Sequence, residues 1–257
     1  EVTHVMEMST NITQIRQLQD NLSSLGLKIS SISHGIKGLL TGLDGGMYLV
    51  ESGFNKDKPE RVQKGWEDIK TIVGRIRKLV HNILFFAKER ELKSTRIAGL
   101  NFAEDVAATV ENRLKASGIN FVRDFDDSVG MLRIDAGVLR LALINILENA
   151  LDACLEDQTQ NKHKIGFRVG QDAGQVIFEI SDNGIGMDQE TCEKLFTLFF
   201  STKGNKGTGL GLFIAAKIVD QHGGKISVES KRGRGSTFKV SIPNIEPESA
   251  KTKENIE

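Results

Sequence analysis

Four short segments in the second half of the chain bring together side chains and backbone suited to a phosphate-bearing ligand. The first is Asn145-Ile146-Leu147-Glu148-Asn149-Ala150-Leu151-Asp152. Asn145, Asn149 and Asp152 step by four and three and so line one stripe of a helix, while Leu143, Leu147, Ala150 and Cys154 form a second stripe suited to packing on a sheet. Two amides and a carboxylate on one stripe offer oxygen ligands to Mg2+ and hydrogen bonds to phosphates. The same stripe would also serve as an ordinary polar helix face. The second segment, Asp182-Asn183-Gly184-Ile185-Gly186-Met187, follows a strand pattern and sets an acceptor beside a close backbone turn. Many β-turns share that string. The third, Gly207-Thr208-Gly209-Leu210-Gly211-Leu212, opens a helix, where glycines let backbone N–H groups reach an anion. Lys203 and Lys206 stand just ahead of it as phosphate-binding cations. No Lys-Ser or Lys-Thr pair follows these glycines, which separates them from a Walker loop. The fourth, Gly233-Arg234-Gly235-Ser236-Thr237-Phe238, is by itself a hairpin turn.

A nucleophile is the other chemical feature. Of His4, His34, His81, His163 and His222, four read as solvated or capping side chains. His34 differs by its place in a heptad: with Ile29 and Ile36 at a and Ile32 at d, it falls at f, the outermost point of the helix. Neutral imidazole is a competent nucleophile near pH 7. An f-position histidine alone is most often merely solvated; in a chain that also binds a phosphate-bearing ligand it becomes a candidate nucleophile.

The elements that must position these groups fall into two halves. Residues 1–92 hold two long helical patterns. Ile15, Leu18, Leu22, Leu25, Ile29, Ile32, Ile36, Leu39 and Leu43 alternate steps of three and four, with a stutter at Met47 and Val50. Asp57, Pro59 and Glu60 signal a new helix, along which Val62, Trp66, Ile69, Val73, Ile76, Val80, Ile83 and Ala87 continue the pattern. A lone hairpin leaves half of such a seam wet, so two hairpins are expected to close into a four-helix bundle, a homodimer. From residue 99 to 245 short strands alternate with helices: strands at 119–125, 131–134, 164–169 and 175–182, a helix capped by Asp135 and reaching Glu156, a helix over 208–221, and a closing hairpin at 225–229 and 237–242. This order predicts an α/β sandwich with a mostly antiparallel sheet. Residues 246–257 form a polar tail.

Composition narrows the class. Hydrophobic residues make up 39% and charged residues 26% of the 257, the profile of a soluble globular chain. Lys plus Arg and Asp plus Glu number 34 each, so no broad nucleic-acid or anionic-membrane surface is expected. Cys154 and Cys192 match no metal or redox spacing and read as small buried hydrophobes. No stretch approaches the ~18 apolar residues of a membrane span. The chain opens on Glu1 inside a helical pattern, so it reads as a cytoplasmic piece of a longer protein whose upstream sensor or membrane segment is absent here.

Taken in order, "NILENALDA", "DNGIGM", "LFTLFFSTKG", "GTGLGL" and "GRGSTF" resemble the N, G1, F, G2 and G3 boxes of histidine kinases, over about residues 100–242. The resemblance implies a Bergerat-type ATP-binding fold. Asp182 would accept from the adenine amino group beside Gly184 and Gly186, with Thr237 helping through water. Asn149 would hold Mg2+ and Asn145 would contact phosphates. Gly207, Thr208, Gly209, Leu210 and Gly211 would line the phosphates, and residues 187–206 would form the lid. "SISHGIKGLL" is similar to the phosphoacceptor H box, with Lys37 three residues after His34.

Some positions depart from that pattern. Asp152 stands where many members carry Lys, leaving Lys203 as the substitute cation. Gly35 stands where an acid or amide would take the proton from His34, and Gly38 where a Thr or Asn would position water. Glu148 is the substitute base. Gly35, Gly38, Gly42, Gly45 and Gly46 each cost ~1 kcal/mol in a helix interior, so they serve either close helix packing or a shallow face open to another domain. The function implied is autophosphorylation on His34 from ATP and transfer to an Asp of a response regulator. A catalytically degenerate ATP-binding dimeric scaffold is the alternative, favoured by Gly35 and Gly38. An ATP-hydrolysing clamp of the same fold fits the helical hairpin less well.

Overall fold

The computed structural model describes residue 33 and residues 35–87, 92–198, 200–203, 207 and 209–244. Contacts divide the chain into two compact units, one reaching Ile83, the other running from Leu84 to Thr202 and on from Gly209.

In the first unit, helix α1 (residues 35–55) turns into helix α2 (Pro59–Ala87). The turn is a Schellman cap. Lys58 N–H donates to the Gly53 carbonyl at 2.8 Å and Asp57 N–H to that of Phe54 at 3.3 Å, with Asp57 left-handed at φ 49°. Pro59, which lacks a donor, then starts α2 where none is needed. Leu39, Ile72 and Leu79 are buried within the hairpin. Between them the helices meet backbone to backbone: a Cβ on Gly65 would lie 2.6 Å from the Gly46 carbonyl oxygen and 2.8 Å from the Val50 nitrogen. Gly42 and Gly46 also face α2, with Ile72 Cδ1 and Ile69 Cγ1 at 3.0 and 2.8 Å from their Cβ positions. Of the two readings of the glycine cluster, these two residues follow close packing; Gly35 and Gly45 stand over open space. Ile36, Leu40, Met47, Phe54, Trp66, Val73 and Val80 are exposed large hydrophobics, and Trp66 is 55% exposed.

The second unit runs β1 (Thr95–Ala98), α3 (Gly99–Ala116), β2 (Asn120–Phe125), β3 (Met131–Ile134), α4 (Ala136–Glu156), β4 (Lys164–Asp172), β5 (Gln175–Asp182), α5 (Gln189–Lys194), α6 (Gly211–Gln221), β6 (Lys225–Lys231) and β7 (Gly235–Pro243). The main sheet has the order β2-β4-β5-β7-β6, parallel only between β2 and β4, and β1 pairs with β3 separately. Alternate residues Phe167, Phe178, Ile180, Phe238 and Val240 are buried on the side of α3, α4 and α6; Phe102 of α3 meets Phe178 edge-on at 5.9 Å. Asp135 caps α4: its Oδ1 accepts from Val138 N–H at 3.2 Å, and its Oδ2 accepts from Lys93 N–H at 3.0 Å. Its own N–H donates to His222 Nε2 at 3.1 Å, and His222 Nδ1 lies 2.8 Å from the Ile218 carbonyl. A carbonyl can only accept, so His222 is the neutral Nδ1–H tautomer, one of the capping histidines.

Several elements differ from the sequence expectation: helices α3 and α5 were not named in it, and β4 and β6 run on to Asp172 and Lys231. β1 was not expected; its four residues are too few for periodicity to register. α6 begins at Gly211 rather than Thr208, and β7 at Gly235 rather than Thr237.

Candidate functional site

Strand alternation turns Asp182, the last residue of β5, to the helix side of the sheet, where it is 9% exposed. Its Oδ1 accepts from Gly184 N–H at 2.9 Å, and the Ser236 N–H also bonds the carboxyl. Burial pushes this carboxyl up to about 6, against the pull of the two N–H bonds and of nearby His163. A carboxyl raised by burial at the edge of a cleft is a candidate for ligand contact.

The loop after Asp182 is clamped from two sides. A Cβ on Gly184 would lie 2.5 Å from the Ala153 carbonyl, and Ile185 N–H donates to that oxygen at 3.2 Å, so the loop lies directly on the backbone of α4. From the other side, Gly233 N–H donates to the Ile185 carbonyl at 2.6 Å, and Met187 N–H donates to Ser230 Oγ at 2.8 Å. Gly235 has φ 87°, and any Cβ there would run into the Asp182 carbonyl oxygen. The "DNGIGM" and "GRGSTF" strings, each ambiguous alone, are thus two halves of one assembly.

The register corrects one residue. Asp182 pairs with Ser236, and Ser181 with Thr237. Ser236 is buried on the Asp182 side, whereas Thr237 falls on the opposite face of the sheet. The strand period is two, so a shift of one residue exchanges faces. Ser236 therefore stands where Thr237 was expected. Phe238 could have shown this: Ser236 shares its phase.

A second cluster lies between α4 and α6. Asn145 is 3% exposed and its Nδ2 has no hydrogen-bond partner. A Cβ on Gly211 would touch its Oδ1 at 3.6 Å, so the N-terminus of α6 converges on this amide, directly after left-handed Gly209 (φ 62°). An unpaired buried donor costs roughly 1–3 kcal/mol, which an acceptor ligand would recover. An orphaned amide beside a helix start with no side-chain cap fits an anion such as a phosphate.

The other candidates take varied places. Asn149 is half-buried one turn after Asn145, and Gly186 is buried under the β6–β7 hairpin. Leu210 is buried, while Lys203 and Gly207 are half-buried. Glu148 is held by Arg113 Nη1 of α3 at 2.7 Å. Lys37 is exposed on α1. His34, Lys206 and Thr208 lie outside the described residues. Cys154, buried behind Asp182, has its thiol pushed up to about 12 by burial and then by the Asp182 charge. Among the described residues no three His, Cys, Asp or Glu gather to hold a metal ion, and no helix is long and apolar enough to cross a membrane. The residues missed from sequence were Ser236, Ser230 and the backbone of Ala153.

Comparison with known proteins gives the same outline. Residues 134–246 match the family described as histidine kinase-, DNA gyrase B- and HSP90-like ATPases. The signal transduction histidine-protein kinase AtoS of Escherichia coli is 28% identical over 241 residues, 93% of this chain and 38% of that protein. The sensory histidine kinase/phosphatase NtrB of Azospirillum brasilense is 28% identical over 256 residues, 93% of this chain and 62% of that protein. This chain therefore spans between about a third and two thirds of these two relatives. The solved catalytic domain of histidine kinase ThkA is 30% identical with a TM-score of 0.52, covering 59% of this chain and 96% of that one. The structure of ThkA in complex with the response regulator protein TrrA is 27% identical with a TM-score of 0.72, covering 95% and 68%.

Proposed function

This chain belongs to the histidine kinases, and from that premise we propose that it transfers the γ-phosphoryl group of ATP to a ring nitrogen of His34 and passes it on to an aspartate of a response regulator. The observation that carries the ATP reading is the buried, unpaired Nδ2 of Asn145 beside the start of α6, set on the same helix face as Asn149. The adenine amino group would donate to Asp182, with Ser236 beside it. Asn145 and the N–H groups near Gly209 and Gly211 would take the phosphates, supported by Lys203. Mg2+, held by Asn149 and otherwise by phosphate and water oxygens, would neutralise charge developing on the transferred group.

His34 Nε2 or Nδ1 would attack the γ-phosphorus as ADP leaves, and the proton on the other ring nitrogen would pass to a base. With Gly35 beside it, His34 lacks an adjacent acid, so Glu148 is the proposed acceptor. The exposed stripe of Ile36, Leu40, Met47, Trp66, Val73 and Val80 supports a homodimer in which a second hairpin covers it. ThkA was solved with a response regulator, and a receiver domain is the proposed partner here.

The test is incubation with γ-labelled ATP. The wild type should become labelled and His34→Gln should not. Label retained in His34→Gln would move the acceptor elsewhere. A wild type that binds ATP but stays unlabelled would support the second reading, a dimeric ATP-binding scaffold, which the absence of an acid at Gly35 favours.

A further inference from the structure

We propose that Ser230 is a positioning residue that sets the purine preference of the nucleotide site by fixing which way the Ser236 hydroxyl points; this rests on the reading that ATP places its base at Asp182. Ser230 lies on β6 opposite Ser236 in the register, and the two line one cleft with Asp182. The Ser230 Oγ has three partners: Met187 N–H at 2.8 Å, the Gly235 carbonyl at 3.0 Å and Ser236 Oγ at 3.0 Å.

A hydroxyl has one proton and two lone pairs. Met187 N–H can only donate, so it occupies one lone pair. The Gly235 carbonyl can only accept, so it takes the proton. The remaining lone pair can be met only by the proton of Ser236. Ser236 therefore directs its hydrogen at Ser230 and offers only lone pairs on the side of Asp182, its partner in the strand register. The Asp182 carboxylate is likewise an acceptor, and the N–H groups that bond it, from Gly184 and Ser236, belong to the backbone.

The Asp182 and Ser236 side chains thus present only acceptors toward the C6 group of the base. Adenine carries an amino group at C6, a donor, and suits them. Guanine carries a carbonyl at the same position, which would face oxygen lone pairs unpaired. Without the Ser230 hydroxyl, Ser236 is free to rotate and donate to that carbonyl. Ser230 enforces the choice through the Ser236 hydroxyl.

The experiment measures ATP and GTP affinities by calorimetry, with Mg2+, on the full 257-residue chain as wild type, Ser230→Ala and Ser230→Thr. Wild type should prefer ATP. Ser230→Ala should lower the ATP-to-GTP preference by about tenfold or more, while Ser230→Thr, which keeps the hydroxyl, should stay within about threefold of wild type. Loss of loop order alone would weaken both nucleotides alike and leave the ratio unchanged; that result overturns the proposal. Should the alanine variant not fold, Ser230→Cys, whose thiol is a weak donor and acceptor, must move the ratio the same way, and an unmoved ratio again overturns it. A wild type that binds neither nucleotide refutes the ATP site itself, and the relay falls with it.

Discussion

Asp182→Asn should make the protein more stable at neutral pH while removing its affinity for ATP. The Asp182 carboxyl is held at about 6 in the fold, against 3.8 ordinarily, because burial disfavours its charge. The folded state therefore binds this proton more tightly than the unfolded chain does. Below pH 3.8 both states are protonated and the group is neutral to stability. As pH rises the unfolded chain ionises first, and stability falls until the folded carboxyl has also ionised, above about 6. The cost works out to about 1 kcal/mol at pH 4.5 and about 3 kcal/mol at pH 8. Asparagine is an uncharged reference of nearly the same shape: its amide oxygen can accept from Gly184 N–H, although its NH2 carries two donors where a protonated carboxyl carries one. Any change in the hydrogen bonds to Gly184 and Ser236 is the same at every pH, so the pH dependence of the difference reports the charge alone. Denaturant titration of both proteins at pH 4.5 and 8 should show the variant gaining about 2 kcal/mol between the two values. Its ATP affinity should fall at least tenfold, because an amide N–H would face the adenine amino group. A variant whose stability difference from wild type is the same at both pH values would refute the claim that burial of this charge is costly.

Gly65→Ala should lower the melting stability by about 1–3 kcal/mol, since its Cβ would press on the Gly46 backbone. Gly45→Ala, over open space, should instead raise it by up to ~1 kcal/mol, and equal effects would discredit the backbone contact between α1 and α2. Glu148→Gln should slow autophosphorylation by about 100-fold or more while ATP affinity holds, whereas Arg113→Ala, which removes the ion pair to that carboxylate, should not slow it. A Glu148→Gln rate within about threefold of wild type would remove Glu148 from the chemistry. Asn145→Ala should abolish nucleotide binding without lowering apo stability much, because relief of the unpaired Nδ2, worth about 1–3 kcal/mol, offsets the packing lost with the side chain; a large drop in stability would mean the amide is structural.

Much of this was legible in the sequence because long periodic segments constrain their own faces. The α4 stripe of Leu143, Leu147, Ala150 and Cys154 is buried as its spacing required, and the Asp135 cap sits one residue before the helix. What periodicity could not give was the partner of each face. Leu39 and Val73 read as members of one kind of seam, yet Leu39 is buried within the hairpin and Val73 is exposed. The contrast between Thr237 and Ser236 has a different cause: a strand expected to start at Thr237 left Ser236 outside it, although the phase of Phe238 and Val240, carried back two residues, puts Ser236 and not Thr237 on the buried face. The joining of the two glycine strings was invisible because it depends on contacts among Ala153, Ile185 and Gly233, far apart in the chain.

The glycines that crowd the Asp182 loop bear on how such chains drift. At Gly184 and Gly235 the obstruction to any side chain is the protein's own backbone, the Ala153 carbonyl and the Asp182 carbonyl. A descendant that had lost all phosphoryl chemistry would still need both glycines to fold this way, so their persistence in a lineage reports architecture and says nothing of activity. Asn145 and Asp182 are the opposite case. One leaves a donor unpaired and the other buries a charge, so each lowers the stability of the empty protein. Once selection for nucleotide binding ceased, these two positions would erode first. In comparing relatives of this chain, those two letters, rather than the glycines between them, separate working sites from vestigial ones.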